Sequence, residues 1–281
     1  MKQISKELMQ NFKDYLHDEE KSAATLDKYI RDVGTFAQWC GETELTKGLV
    51  LEYKQKLIER YAPASVNSII SSLNSFFGFN RWYDLKVKQL KIQKQIFADK
   101  EKELTKGEYE RLLAAAKAQN NERLYCLMQT IGSTGIRISE LKFVTAEAVN
   151  SGQATINCKG KLRRVFLPKQ LCKMLKVYIK ERKIKSGSVF VSKNGKPLDR
   201  SNIWSVMKKL CDAAGVSRDK VFPHNLRHLF ARTYYSLKKD IVRLADILGH
   251  SSVNTTRIYT METGEIHRRQ IQSLGLVKMV C

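Results

Sequence analysis

Apolar residues recur with a helical period through the first ~85 residues, in four separate runs. Ile4, Leu8, Phe12 and Leu16 make one stripe. Leu26, Tyr29, Ile30, Val33, Phe36 and Trp39 make a second, with Ser22 or Thr25 placed to cap it. Thr46 opens a third through Leu49, Leu51, Tyr53 and Leu57. Pro63, whose fixed φ suits a first helical turn, opens a fourth through Val66, Ile69, Ile70, Leu73, Phe76 and Phe77. The pattern predicts a four-helix module over residues 1–85.

The period is then lost in a basic stretch holding Arg81, Lys86, Lys88, Lys91, Lys94 and Lys100, and residues 86–102 read as an interdomain linker. Thr105-Lys-Gly-Glu108 matches a capping box ahead of Leu112 and Leu113, so a second domain is expected over 103–281. Helical patterns there cover roughly 169–185, 201–214, 223–238 and 240–248, with a last one near 252–260. Two short hairpins are expected among them. One joins Ala154–Cys158 to Arg164–Leu167 through a Lys/Gly turn, and the other places Ser188–Val191 before an Asn194-Gly195 turn signal. The fold class is thus mainly α with a small β component, the second domain being mixed α/β.

Charge narrows the partners. The formal net charge is +22, and it is uneven: residues 1–97 hold 15 Lys/Arg against 12 Asp/Glu, whereas 98–281 hold 35 against 16. Such a balance favours a polyanion, whose counterions are released on binding. A near-neutral N-terminal module still binds DNA if its basic residues share a face. The six cysteines show no C-x-x-C pair and no regular spacing, so neither zinc nor a disulfide framework is expected. No secretory segment and no apolar run of ~18 residues occurs, which makes the cytoplasm the expected location and a membrane partner unexpected.

The candidate chemistry lies in the second domain. Arg137 follows Gly132-Ser-Thr-Gly135 and is expected to open the helical segment Arg137-Ile-Ser-Glu140-Leu-Lys-Phe, where backbone N–H groups favour an anion. The glycines lack the spacing of either a nucleotide-binding loop or a dinucleotide fingerprint. His224 and Arg227 stand three apart after Pro223, on one helix face, so Arg227 offers a second fork of donors to the same phosphate. His224 and His228 have zinc-helix spacing, but Asn225 stands where the hydrolase motif needs glutamate. Glu140 is spaced to orient a guanidinium or imidazole. His250 follows Gly249 at a helix-to-turn junction, with Ser251 and Ser252 ready to cap the next helix, and Tyr259 ends Leu248-Gly-His-Ser-Ser-Val-Asn-Thr-Thr-Arg-Ile-Tyr259. Two guanidiniums, several imidazoles and a phenol suit phosphoryl transfer without a metal, and no carboxylate cluster suggests a two-metal site.

Four ordered stretches, 134–144, 158–164, 223–230 and 247–260, together resemble the tyrosine recombinases, the phage-integrase and Xer-type enzymes. Thr134-Gly-Ile-Arg137-Ile-Ser-Glu140-Leu resembles their first arginine box, His224-Asn-Leu-Arg227-His228 their H-x-L-R-H box, and Leu248 to Tyr259 their final box. The resemblance implies a SAM-like core-binding domain followed by a catalytic domain. It implies Tyr259 as nucleophile, Arg137 and Arg227 as phosphate clamps, His224 as proton handler and His250 as a phosphate ligand. Lys159, in Cys158-Lys159-Gly160-Lys161, fits the leaving-group acid best, but the turn is about one residue short and Lys161 stays open. Basic residues expected on DNA are Arg81, Lys86, Lys88, Lys91, Lys94, Arg163 and Arg164.

No cofactor and no metal is implied. The expected partner is double-stranded DNA with inverted-repeat core sites, bound by a homotetramer that assembles from free monomers and exchanges C-terminal tails. Integration, excision, inversion and resolution all stay open, with Xer-type resolution, inversion or excision of a mobile element favoured over a large accessory-laden phage reaction. Two further readings share these residues: a type IB-like topoisomerase and a non-catalytic DNA-binding regulator of the same fold.

Overall fold

Ser5, Ser22 and Thr46 each turn a side-chain oxygen onto the first turn of a helix, accepting from the backbone N–H groups of Leu8, Thr25 and Leu49. These caps satisfy donors that a helix start leaves orphaned. They open α1 (Lys6–Asp18), α2 (Ala23–Cys40) and α3 (Lys47–Arg60), while Pro63 sits in the first turn of α4 (Pro63–Phe79). The computed structural model describes residues 2–92, 100–158, 161–192, 194–196, 198–259 and 264–276. It divides into two units, Met1–Lys94 and Gln95–Cys281.

The first unit is closed by aromatic packing. Phe12, Phe36, Phe76 and Phe77 are fully buried, and Phe12 meets Phe76 edge-on with ring centroids 5.1 Å apart. Burying one such ring contributes roughly 1.5–3 kcal/mol. Beyond α4 the chain stays attached to this core. Leu85 and Val87 are buried, Leu90 packs beside them, and the Asn74 and Asn67 side chains bond the backbone of Val87 and Leu90. The stretch read as linker from residue 86 therefore begins with residues that complete the first core. Arg81, Lys86, Lys88 and Lys91 are exposed on this unit, and Lys94 lies outside the described residues.

The second unit runs α5 (Lys106–Ala118), α6 (Glu122–Thr134), α7 (Ala146–Ser151), β1 (Gln153–Cys158), β2 (Lys161–Phe166), α8 (Lys169–Glu181), α9 (Arg200–Lys208), α10 (Cys211–Ala214), α11 (Pro223–Lys238), α12 (Ile241–Leu248), α13 (Val253–Thr256) and α14 (Gly264–Ser273). α6 and α11 pack together at its centre. Their approach is set at Gly135, which ends α6 at φ +65°. A Cβ there would meet the Phe230 ring at 2.4 Å. Only glycine fits both the left-handed backbone and the space.

β1 and β2 pair antiparallel, with Ile156 opposite Arg163 and Thr155 opposite Arg164. At the second expected hairpin the Asn194-Gly195 turn is present, the Ser192 N–H donating to the Lys196 carbonyl at 2.8 Å and the Gly195 N–H to the Ser192 carbonyl at 3.1 Å, while Lys193 and Pro197 lie outside the described residues. Ser188 also bridges Thr145, and the Val189 N–H donates to the Val144 carbonyl at 2.9 Å. Val189 and Phe190 are fully buried, so core burial helps to fix that segment. Three helical expectations also change. The 201–214 pattern splits into α9 and α10, the 252–260 pattern becomes α13 plus a 3-10 turn at Arg257–Tyr259, and Arg137 precedes a 3-10 turn over Ile138–Phe143.

The capping box at the start of α5 is complete. Thr105 Oγ1 accepts from the Glu108 N–H, and the Glu108 carboxylate accepts from the Thr105 N–H at 2.8 Å and from Lys220 Nζ at 2.9 Å. Thr105→Ala is expected to destabilise the fold by about 1 kcal/mol in urea denaturation. Glu108→Ala is expected to cost more, since it also strands the part-buried Lys220 ammonium. Equal losses would show that the Lys220 pair contributes nothing.

Candidate active site

α12 ends at Gly249, which takes φ +63°. The last carbonyls of a helix lack intrahelical partners and carry the negative end of its dipole, so they attract cations. Three arginines from distant parts of the sequence supply them. Arg163 Nη1 donates to the Ile247 carbonyl at 2.5 Å, Arg227 Nη2 to the Leu248 carbonyl at 2.8 Å, and Arg137 Nη2 to the Gly249 carbonyl at 3.3 Å. Arg227 also donates from Nη1 to the Gly135 carbonyl at 2.6 Å, which ties the glycine end of α6 to the glycine end of α12.

Glu140 supplies the compensating charge. Its carboxylate is 2% exposed and accepts from Arg137 Nη1 at 3.0 Å, the Arg137 N–H at 2.8 Å and Arg163 Nη2 at 2.5 Å. Burial alone would push this carboxyl up. The Arg137 N–H and the two guanidiniums outweigh that and hold it below its ordinary value.

His250 follows in a defined tautomer. Its Nε2 lies 2.9 Å from Arg227 Nη2, and guanidinium only donates, so Nε2 is the bare acceptor and Nδ1–H donates to the buried Thr256 hydroxyl at 2.8 Å. Burial, then Arg227, Arg137 and Arg163, press this imidazole down to about 4. His224, open to solvent on one side, is lowered by partial desolvation and by the charges of Arg227, Arg137 and Arg200. Burial and His224 push His228 down to about 3. At neutral pH all three rings are uncharged.

Tyr259 closes the cluster. It is 4% exposed, packed with Ala231, Leu244 and Leu248. Its ring meets His228 edge to face at 4.8 Å and stacks near His250 at 6.0 Å. Burial and the Arg137 charge bring the Arg227 guanidinium down to about 10, while the neighbouring Tyr259 hydroxyl and Glu140 act in the opposite direction. Arg227 is therefore still a cation at neutral pH, although it is only 1% exposed.

Beside this cluster opens a cavity of about 470 Å³, lined by Arg137, Ser139, Arg200, Trp204, His224 and Arg227 among others. It presents three guanidiniums and a neutral imidazole, the donor set for a phosphate. Arg200 and Trp204 had no motif to mark them. The one local signal is Asp199, whose carboxylate caps α9 through the N–H groups of Ser201 and Asn202 and so fixes where Arg200 begins the helix.

The structure thus gathers Arg137, Glu140, His224, Arg227, His250 and Tyr259. Arg163, expected on DNA, instead points inward onto Glu140 and the Ile247 carbonyl. Its neighbour Arg164 is exposed. Lys159 and the side chain of Lys161 lie outside the described residues.

His228 and His250 are neutral when folded and protonate near the ordinary imidazole value of 6.5 when unfolded. The unfolded state then binds more protons, so stability is lost as pH falls from 6.5 toward about 4 and about 3. The urea midpoint is expected to be lower at pH ~5 than at pH ~7.5, and His228→Phe should narrow that gap. An unaltered gap in the variant would remove His228 from the acid response.

Known proteins resemble the chain over most of its length. Residues 102–265 match the phage integrase family and residues 8–81 its N-terminal SAM-like domain. The chain is 30% identical over 283 residues to the tyrosine recombinase XerA of Thermococcus kodakarensis, covering 97% of this chain and 96% of that one. It is also 30% identical to the tyrosine recombinase XerD of Xanthomonas campestris pv. campestris, covering 95% and 90%. Among solved structures, a lambda integrase dimer bound to a COC′ core site superposes with a TM-score of 0.72 at 17% identity, over 92% of this chain and 95% of that one. The mostly helical architecture, with its SAM-like domain and a catalytic domain bearing one small sheet, together with these matches over nearly its whole length, makes the chain a member of the phage integrase family of tyrosine recombinases.

Proposed function

We propose that this recombinase cleaves and rejoins duplex DNA at specific sites through a covalent bond to Tyr259. The observation that carries the reading is the convergence of the Tyr259 phenol, the Arg227 guanidinium and two neutral imidazoles beside a cavity rimmed by Arg137 and Arg200. The Tyr259 oxygen attacks the phosphorus and forms a P–O bond, while the bond to the 5′ oxygen breaks. The products are a 3′-phosphotyrosyl enzyme and a free 5′-hydroxyl. His224, neutral at working pH, accepts the phenol proton, and Lys159 or Lys161 returns a proton to the leaving oxygen.

Arg137 and Arg227 stabilise charge on the non-bridging oxygens, the contribution that dominates phosphoryl transfer. His250 holds the Arg227 guanidinium through Nε2, and it donates to the phosphate in its other tautomer, Nε2–H with Nδ1 accepting from the Thr256 hydroxyl, once that guanidinium turns toward the phosphate. One phosphodiester replaces another, so no nucleotide supplies energy.

The partner in this reading is duplex DNA with inverted-repeat core sites. A lambda integrase tetramer solved on a Holliday junction and a XerH recombinase solved on a palindromic difH substrate support it. That tetramer also supports assembly of four copies on DNA, to which we add exchange of C-terminal tails. Exposed Leu274 and Leu276 at the end of α14 offer an apolar tail for it. No helix among the described residues is long and apolar enough to cross a membrane.

A nicked duplex carrying a sequence enriched by the protein from a randomised inverted-repeat pool is expected to trap a covalent adduct with wild type and none with Tyr259→Phe. Adduct formation by the variant would reassign the nucleophile. Arg137→Ala should lose cleavage by about 10²-fold or more with folding intact, whereas Arg227→Ala should lose cleavage and stability together, because four contacts of a buried cation go with it. Of Lys159→Ala and Lys161→Ala, the variant rescued by a 5′-phosphorothiolate leaving group identifies the acid. Rescue of neither would place it elsewhere.

A further inference from the structure

We propose that Arg163 is a positioning residue of this reaction: it anchors the β1–β2 hairpin to the turn bearing His250 and to the carboxylate that aims Arg137, without contacting DNA. The inference rests on the transesterification reading for its catalytic consequence, but its structural half stands without DNA.

Strand alternation sets the side chain's direction. Leu162, Arg164 and Phe166 share the exposed face of β2, while Arg163 shares the other face with the buried Val165 and lies opposite the buried Ile156. The Arg163 side chain is 16% exposed and spends its fork on two partners, Glu140 Oε2 and the Ile247 carbonyl, each at 2.5 Å. Its stem crosses the α12 turn so closely that a Cβ on Gly249 would meet Arg163 Cδ at 2.5 Å. A strand, a helix end and a buried carboxylate are therefore joined through one guanidinium.

Removing it changes two neighbours in predictable directions. Glu140 keeps its negative charge but has Arg137 as its remaining cationic partner. The Arg137 side chain, 39% exposed at the cavity, is then drawn inward and away from an incoming phosphate. The Ile247 carbonyl loses its donor, which loosens the turn that sets His250. Lysine places one ammonium where two forked donors are needed, so it restores the charge and not the bridge.

Three variants test this: Arg163→Ala, Arg163→Lys and, as the exposed neighbour, Arg164→Ala. In the free protein, amide exchange over 153–158 and 244–252 is expected to rise about tenfold or more in Arg163→Ala, less in Arg163→Lys, and not in Arg164→Ala. Equal exchange in the two alanine variants would overturn the anchor.

On the enriched nicked duplex, Arg163→Ala is expected to form adduct about 10²-fold more slowly, with unchanged affinity and an unchanged slope of log affinity against log salt. Arg163→Lys should recover part of that rate. Wild-type cleavage in Arg163→Ala would overturn the positioning role. Weaker binding with a salt slope reduced by about one would make Arg163 a phosphate contact instead. No adduct from wild type on this duplex would count against the covalent reading, while the exchange data would still decide the anchor.

Discussion

Three successive carbonyl oxygens at the end of α12 each accept from a different arginine, and the geometry of the catalytic unit depends on that arrangement. A helix C-terminus is a cheap place to store positive charge, because its orphan acceptors and dipole need cations in any case. The residues Arg137, Arg163 and Arg227 lie far apart in sequence, on a turn, a strand and a helix. Fixing all three to one short turn fixes those elements to each other. The same turn delivers His250, so the contacts that hold the turn also set where that imidazole stands.

Gathering cations has an electrostatic consequence. Around three guanidiniums the described residues place one buried carboxylate, and the imidazoles respond by staying neutral. Backbone oxygens, which carry only partial charge, supply the rest of the compensation. The cluster therefore retains an unspent positive potential directed at the cavity. A phosphate diester entering there meets donors already fixed in place, with little reorganisation left to undergo.

How much of this was legible in the sequence follows from the range of each interaction. The four N-terminal helices were readable because capping and periodicity are local: Ser22, Thr46 and Pro63 act within one turn of themselves. The capping box at Thr105 was readable for the same reason. Family-like strings marked Arg137, His224, Arg227, His250 and Tyr259 as belonging together. They did not mark Arg163 as an inward residue, because an arginine in a basic strand reads as surface unless the register to Ile156 is known. Arg200 and Trp204 were missed because their place at the cavity comes from the packing of α9, with no local pattern to announce it. The Ser188–Val191 segment was half legible: the Asn194-Gly195 turn after it is a local signal, whereas the bridge from Ser188 to Thr145 joins residues far apart in sequence.

Trp204 is 49% exposed on the cavity wall, with the Lys208 ammonium 5.2 Å above its ring. The two other tryptophans, Trp39 and Trp82, belong to the aromatic core of the first unit. The second unit therefore has a built-in optical reporter. Its emission senses polarity and nearby charge at the mouth through which an anion would enter, so occupancy of the cavity is readable in the native protein without attaching a dye.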